Sequence, residues 1–417
     1  MRTACEPNVG PIVNSQWWNS HVSYSKFRRQ GIDIVCASFK QKNAKANVVF
    51  VTGLMESFVK YSETIQYFYE KGFNVFTYDH QSQGLSGRWL SESQSLWINS
   101  FDDYVDDFVY FVYVRLPHFI FAKIIPLLPS LTNLLLNLCV LLLSSPSHAL
   151  LRTAVSTESS HLPVFLVAHS MGGLIASMAM SRQPTLISRA VLCAPMIRNK
   201  CGLKALDYQY PLPQPVAYWL TYLACYSGLG SMHAMGFFKE KPTDKLPLHV
   251  TTSDPEQLQA WRDLRMRHPC LIATCVTNDW LIHSIRAQNK FSHRYETVRT
   301  NTLILSAETD YFVNNRAIVA FAKKAPAAKL LTVPDSFHEL LQEREPVRAA
   351  TRKVISDFFS QKSDSVALVE PCFPLLEFDH SRPMYSVPEL IGRGGGLLLA
   401  AAGFLAGIAM ILGDRKR

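Results

Sequence analysis

The sequence has no Cys-x-x-Cys pair and no Asn-x-Ser/Thr acceptor, and its first residues, Met1-Arg-Thr-Ala-Cys-Glu-Pro7, hold no apolar signal core. The nine cysteines are odd in number and scattered from Cys5 to Cys372. That pattern argues against a disulfide framework and against a zinc site, and it fits a reducing compartment. The missing glycosylation and signal features weigh against secretion. Cys36 and Cys193 stand in apolar, strand-like runs and read as small core residues. Charge is also sparse, at 18% of residues against 48% hydrophobic. A chain that apolar is globular rather than disordered, and the excess points to contact with a membrane. Acid is scarcer than base, 33 Asp and Glu against 42 Lys and Arg, for a net charge of +9. A modest basic excess suits an anionic membrane surface or a nucleic acid. No basic stripe with interleaved aromatics is present, so nucleic-acid binding is not expected. Internal repeats are absent too.

The 417 residues suffice for one large domain with insertions or for two domains. Short apolar, β-rich runs recur at 48–51, 73–78, 164–168, 190–194 and 302–306, with a sixth at 329–333. Apolar strands alternating with helices indicate a mostly parallel sheet covered on both faces. Residues 56–71 read as the first crossover helix, ending at Gly72, and such crossovers are right-handed.

The central signal is Val164-Phe-Leu-Val-Ala168-His-Ser170-Met-Gly172-Gly173. An apolar strand runs into a small-x-Ser-x-Gly turn, and a helical stretch follows. That is the context of a nucleophile elbow, whose strained turn requires small residues two before and two after the serine. Ala168 stands where glycine is commoner; Gly172 meets the rule. The bland reading of Ser170 is a helix N-cap. A nucleophilic serine needs a base, and the base needs a carboxylate. In this fold they follow the serine in the order acid, then histidine, at the carboxyl ends of strands. Asp310, in the loop after the 302–306 run, is preferred over Glu308 as the acid, and His338, beyond the 329–333 run, as the base. The oxyanion needs two backbone N–H donors. Position assigns them to Met171, directly after the nucleophile, and to Leu54, in the turn Thr52-Gly-Leu-Met-Glu56.

These residues resemble the bacterial lysophospholipases and the related monoacylglycerol lipases, a branch of the serine α/β-hydrolases. The matching motifs are Gly53-Leu-Met-Glu-Ser57 with Val59-Lys-Tyr-Ser-Glu63, Asp79-His-Gln-Ser-Gln-Gly84-Leu-Ser-Gly87-Arg, and Phe101-Asp-Asp-Tyr-Val-Asp-Asp107. Further on come Ala168-His-Ser-Met-Gly-Gly173, Cys193-Ala-Pro-Met196 and Phe337-His-Glu-Leu-Leu-Gln-Glu343. They fall in the family's order over residues 14–359. The resemblance implies a triad of Ser170, Asp310 and His338, oxyanion donors Leu54 and Met171, and hydrolysis of the acyl ester of a single-chain lipid. It implies no metal and no organic cofactor. Rival readings are a peptidase or small-ester hydrolase of the same fold, and a catalytically dead tether.

By the same resemblance the hydrolase domain is 14–360, with a cap or lid at 198–300. The cap's Tyr208, Tyr210, Tyr218, Trp219, Tyr222 and Tyr226 either line an acyl channel or pack the cap onto the core. The chain departs from the pattern in three ways. Thr52-Gly53 stands where His-Gly is usual. A hydrophobic insertion occupies 116–156, uncharged from 124 to 151, and reads as a membrane-docking element or a buried helix pair. A linker at 361–393 precedes the uncharged run 394–413. Twenty residues at about 1.5 Å each reach roughly 30 Å, so 394–413 is expected to be a C-terminal transmembrane helix. That would tail-anchor the enzyme on an intracellular membrane with its catalytic domain facing the cytosol. The oligomeric state is not legible.

Overall fold

The computed structural model describes residues 13, 15–90, 94–115, 162–205, 208–234 and 251–360. A short helix α1 (Gln16–His21) leads into the hairpin of β1 (Ser23–Arg29) and β2 (Ile32–Phe39). Its turn residues Gln30 (φ 48°) and Gly31 (φ 83°) are both left-handed, the backbone that matches strand twist in a two-residue hairpin. Next come β3 (Asn47–Val51), α2 (Ser62–Glu70), β4 (Asn74–Tyr78), the brief β5 (Ser95–Leu96) and α3 (Phe101–Arg115). Then follow β6 (Val164–His169), α4 (Met171–Arg182), β7 (Arg189–Cys193), a hairpin of β8 (Cys201–Ala205) and β9 (Tyr208–Leu212), and α5 (Gln214–Ala224). The last stretch holds α6 (Pro255–Arg267), β10 (Cys275–Val276), α7 (Asn278–Ser292), β11 (Asn301–Ala307), α8 (Asn315–Lys324), β12 (Ala328–Val333) and α9 (Val347–Ser360).

Among the described residues the main sheet has eight strands in the order β1-β2-β4-β3-β6-β7-β11-β12. The β1–β2 and β2–β4 pairs are antiparallel and the rest are parallel. Alternate side chains of each strand go to opposite faces. Val49, Val51, Leu166 and Ala168 join one core with Tyr104, Phe108 and Leu174 from α3 and α4. Val48, Phe50 and Val167 join the other with Phe68 of α2 and Phe359 of α9. Burial on both faces explains why these strands read as continuous apolar runs rather than as alternation. All six expected runs became strands, each shifted by a residue or two. Residues 56–71 split instead into a 3-10 turn, Phe58–Tyr61, and α2.

In the 198–300 region α5 packs against α7. Its return is stitched to the core by β10, which pairs in parallel with β5 (Ser95↔Cys275, Leu96↔Val276). Asp254 and Thr277 cap α6 and α7 through their side-chain oxygens, satisfying N–H groups that have no partner inside the helix. Cys36 and Cys193 are buried thiols, and burial pushes Cys193 up to about 12, so Cys193 sits as an inert core residue.

One part of the sequence-based fold class is corrected. The α/β-hydrolase architecture stands, but no transmembrane helix accompanies it among the described residues. Among the described residues no helix is long and apolar enough to cross a membrane. The longest, α3 and α7, have 15 residues each and carry charged side chains; at about 1.5 Å per residue they fall short of a roughly 30 Å hydrocarbon layer. Residues 394–413, the 361–393 linker and the whole 116–156 insertion lie outside the described residues. The location inferred from 394–413 therefore has no described residue behind it.

Candidate active site

β6 lies in the middle of the sheet, between β3 and β7. At its carboxyl end Ser170 takes φ 50° and ψ −116° before α4 begins. A positive φ on a residue with a Cβ is strained, and it persists only where the surroundings hold it. Here Ser170 N–H donates to Cys193 O (3.0 Å), while Ser170 O accepts from Met196 N–H (2.8 Å) and Gly173 N–H (2.9 Å). The turn is thereby pinned to the exit of β7. The room around it is minimal. A Cβ on Gly172 would stand 2.5 Å from Thr52 O and 2.8 Å from Val51 O, and one on Gly173 would stand 2.7 Å from Pro195 Cβ. Ala168 is fully buried, opposite Val51 and Leu192 in the neighbouring strands, and its methyl group fits.

His338, in the segment after β12, brings Nε2 to 2.9 Å from Ser170 Oγ, and its Nδ1 lies 2.7 Å from Asp310 Oδ2. A carboxylate only accepts, so we assign the ring proton to Nδ1, which leaves Nε2 to accept from the serine hydroxyl. Asp310 sits beyond β11, and its Oδ1 accepts from Phe312 N–H (2.8 Å) and Val313 N–H (2.9 Å). Burial works to raise the Asp310 carboxyl, but the His338 ring and these hydrogen bonds hold it below the usual range. Burial works to lower His338, but Asp310 beside it, with Glu339 and Glu56 farther off, lifts it above the ordinary 6.5. Glu308, the other acidic candidate, points elsewhere: its Oε2 accepts from Asp335 N–H at 2.7 Å.

The turn after β3 faces this relay. A Cβ on Gly53 would lie 3.0 Å from Ser170 Cβ and 3.0 Å from His169 Cδ2, so glycine is what allows the backbone to come so close. Gly53 N–H donates to Glu56 Oε2 (2.6 Å), and Met55, at φ 60°, donates its N–H to Gln83 Oε1 (3.1 Å). Among the described residues neither Leu54 N–H nor Met171 N–H makes a hydrogen bond. The two expected donors are thus left available beside the serine.

Sequence reasoning gave no roles to a buried polar chain behind the site. Glu56 Oε1 accepts from Lys60 Nζ (2.8 Å) and Tyr61 OH (2.7 Å), and Lys60 Nζ also reaches Glu339 Oε1 (2.7 Å). Burial pushes the Glu56 carboxyl up, but Lys60, His169 and the hydrogen bonds outweigh it and hold it at about 2. The chain runs from the turn to the neighbour of His338. Its only sequence signal is the Glu-x-x-x-Lys-Tyr spacing, whose Lys60 and Tyr61 stand in the 3-10 turn that follows Glu56.

Tyr311 and Phe337 stack (6.3 Å, 9°), and Phe312 lies 5.1 Å from the His338 ring. Tyr311 and Phe312 are 43% and 40% exposed, an aromatic lip beside the base. On α5, Tyr218 packs against the core while Trp219 is 60% exposed. Tyr218, Tyr222 and Tyr226 stack in series at 6.3 and 6.4 Å, and the side chains of Tyr208 and Tyr210 lie outside the described set. Among the described residues no group of His, Cys, Asp or Glu could hold a metal ion.

The family model described as serine aminopeptidase, S33, matches residues 42–123 and 147–345. Lysophospholipase L2 of Escherichia coli (strain K12) is 25% identical over 362 residues, covering 85% of this chain and 91% of the relative. Among solved structures, a soluble variant of monoglyceride lipase from Saccharomyces cerevisiae, in complex with a substrate analog, aligns at a TM-score of 0.58 with 14% identity, covering 84% of this chain and 98% of that one. The monoacylglycerol lipase of Paleococcus ferrophilus aligns at 0.52 with 15% identity, covering 78% and 97%. At those identities the structures speak for the fold alone.

Proposed function

The chain belongs to the family described as serine aminopeptidase, S33, and from that premise we propose that it hydrolyses the acyl ester of single-chain lipids through an acyl-enzyme on Ser170. It is an α/β-hydrolase of the carboxylic ester hydrolase kind. The observation that carries the reading is the unbroken relay Asp310 Oδ2–His338–Ser170 Oγ, at 2.7 and 2.9 Å. Lysophospholipase L2 and monoglyceride lipase, which this chain resembles, are named for such esters. The aromatic lip of Tyr311 and Phe312 beside His338 suits an acyl chain, which gains about 0.8 kcal/mol for each CH2 it buries.

In the proposed reaction His338 Nε2 takes the Ser170 proton as Oγ attacks the acyl carbonyl carbon. The carbonyl electrons move onto oxygen, where the Leu54 and Met171 N–H groups meet them. Collapse breaks the bond to the leaving alcohol, glycerol or a glycerophospho group, and His338 returns the proton to it. Water then attacks the acyl-enzyme under the same base and releases the fatty acid. Asp310 orients the ring and balances its charge in both halves.

A fluorophosphonate probe should label the intact protein, and labelling should vanish in Ser170→Ala. An intact protein that takes no label ends the proposal. A hydrolysis panel then orders the substrates: monoacylglycerols, lysophospholipids, short p-nitrophenyl esters and aminoacyl amides. The amides are included because the family is described by an aminopeptidase, and turnover confined to them would make the enzyme a peptidase.

A further inference from the structure

The 52–56 turn has no strand partner to shape it, yet it must aim one N–H at a charge that exists only fleetingly. Three side chains hold its backbone. Glu56 Oε2 takes Gly53 N–H, and His80 Nε2 lies 3.1 Å from Thr52 O. The third is Gln83, fully buried. Its Nε2 donates to Gly53 O (2.7 Å) and Glu56 O (3.1 Å), and its Oε1 accepts from Met55 N–H (3.1 Å). One carboxamide therefore holds the peptide groups on both sides of Leu54, and the Leu54 N–H remains uncommitted.

Gln83 is itself firmly mounted. Asp79 Oδ2 accepts from Leu85 N–H (2.7 Å) and Ser57 Oγ (2.6 Å), and Oδ1 accepts from Phe58 N–H (2.8 Å). These bonds tie the 79–87 loop to the segment just past the turn. Gly84, at φ 56°, lies so close that a Cβ would stand 2.1 Å from Asp79 Oδ2. The side-chain chemistry at 83 is also specific. Among side chains only a carboxamide offers two N–H donors and an acceptor together; a carboxylate cannot donate, and an imidazole has one nitrogen for each role. The left-handed φ of Met55 is a conformation that survives only where neighbours over-determine it.

We infer that Gln83 is the positioning residue of the oxyanion hole: its buried carboxamide fixes the direction of Leu54 N–H before any charge forms. The inference rests on the acyl-transfer reading above. Donors prealigned in this way cost no reorganisation at the moment of reaction, and losing one lowers kcat by about 100- to 1000-fold. A misaimed donor costs less than a missing one.

The test uses the full-length chain, with p-nitrophenyl butyrate as substrate and active sites counted by fluorophosphonate labelling carried to completion. Gln83→Leu keeps the bulk and removes all three bonds. Gln83→Glu keeps the shape and the acceptor but not the donors, and serves if the first variant does not fold. Per-site kcat is expected to fall about 10- to 100-fold, with KM within about twofold. Affinity for an alkyl trifluoromethyl ketone, whose enzyme adduct carries an oxyanion, should fall by the same factor as kcat/KM. Unchanged kcat per titrated site, with only fewer active sites, makes Gln83 a fold residue and overturns the inference. A wild-type chain that takes no fluorophosphonate label overturns the acyl-transfer reading instead, and a labelled wild type beside unaltered variants overturns the inference alone.

Discussion

At the scale of the residue, the site holds several titratable groups, and their surroundings shift them in opposite directions. Burial drives His80 and His169 down to about 4, so both stay neutral at working pH. His338 moves the other way, above 6.5: burial penalises its charged form, but Asp310, with Glu339 and Glu56, outweighs that penalty. The base works only as neutral imidazole, so activity is present above the His338 value and is lost as pH falls through it. The acid limb of log kcat/KM should then have a slope of one and a midpoint above 6.5. Asp310→Asn removes the anion that raises the ring, so the midpoint should move to lower pH, with kcat on the plateau down by about 1000- to 10,000-fold. A limb that stays in place would show that Asp310 does not govern the base. Ser170, Asp310 and His338 were legible because each ends a recognisable strand. Gln83 and Glu56 were not, because their partners are backbone groups brought near by folding, and backbone donors leave no residue signature.

At the scale of the element, the strand–turn–helix of β6 and α4 was read from its apolar run and its glycines. What the run did not reveal is how close the turn after β3 stands. Gly172 faces Thr52 O and Val51 O, both backbone atoms that cannot swing aside. Gly172→Ala should therefore spread the elbow away from the oxyanion turn. The expected cost is about 1–3 kcal/mol of stability by urea titration, with a still larger fractional loss of fluorophosphonate labelling per folded molecule. Normal labelling would mean that the two turns can part without harm. The β1–β2 hairpin escaped the sequence reading for a different reason. Ile32–Phe39 is mostly buried, so it shows no clean alternation, and an antiparallel strand cannot be told from a parallel one by composition alone.

At the scale of the whole molecule, two cores sandwich one sheet, and the last described helix closes the second. Phe359 is 3% exposed and stacks on Phe165 at 4.8 Å, with Phe73 and Phe68 at 6.1 and 6.4 Å. Phe359→Ala should cost about 3–5 kcal/mol in denaturant titration. Phe165 and Ser170 lie at opposite ends of β6, about 16 Å apart at strand rise, so per-site esterase activity in the folded variant should hold. A stability change below 1 kcal/mol would show that this end of the core can collapse around the gap. By itself the sequence determined the strand runs, the elbow, the order of serine, acid and histidine, and so the α/β-hydrolase architecture, because hydrophobic periodicity and glycine spacing are local. Only the tertiary structure decided that Asp310 rather than Glu308 meets His338, that Gln83 and Glu56 grip the turn after β3, and that no described helix is a membrane span. Those outcomes depend on distances between residues far apart in the chain, and on the length and charge of helices once they are folded, which composition cannot express.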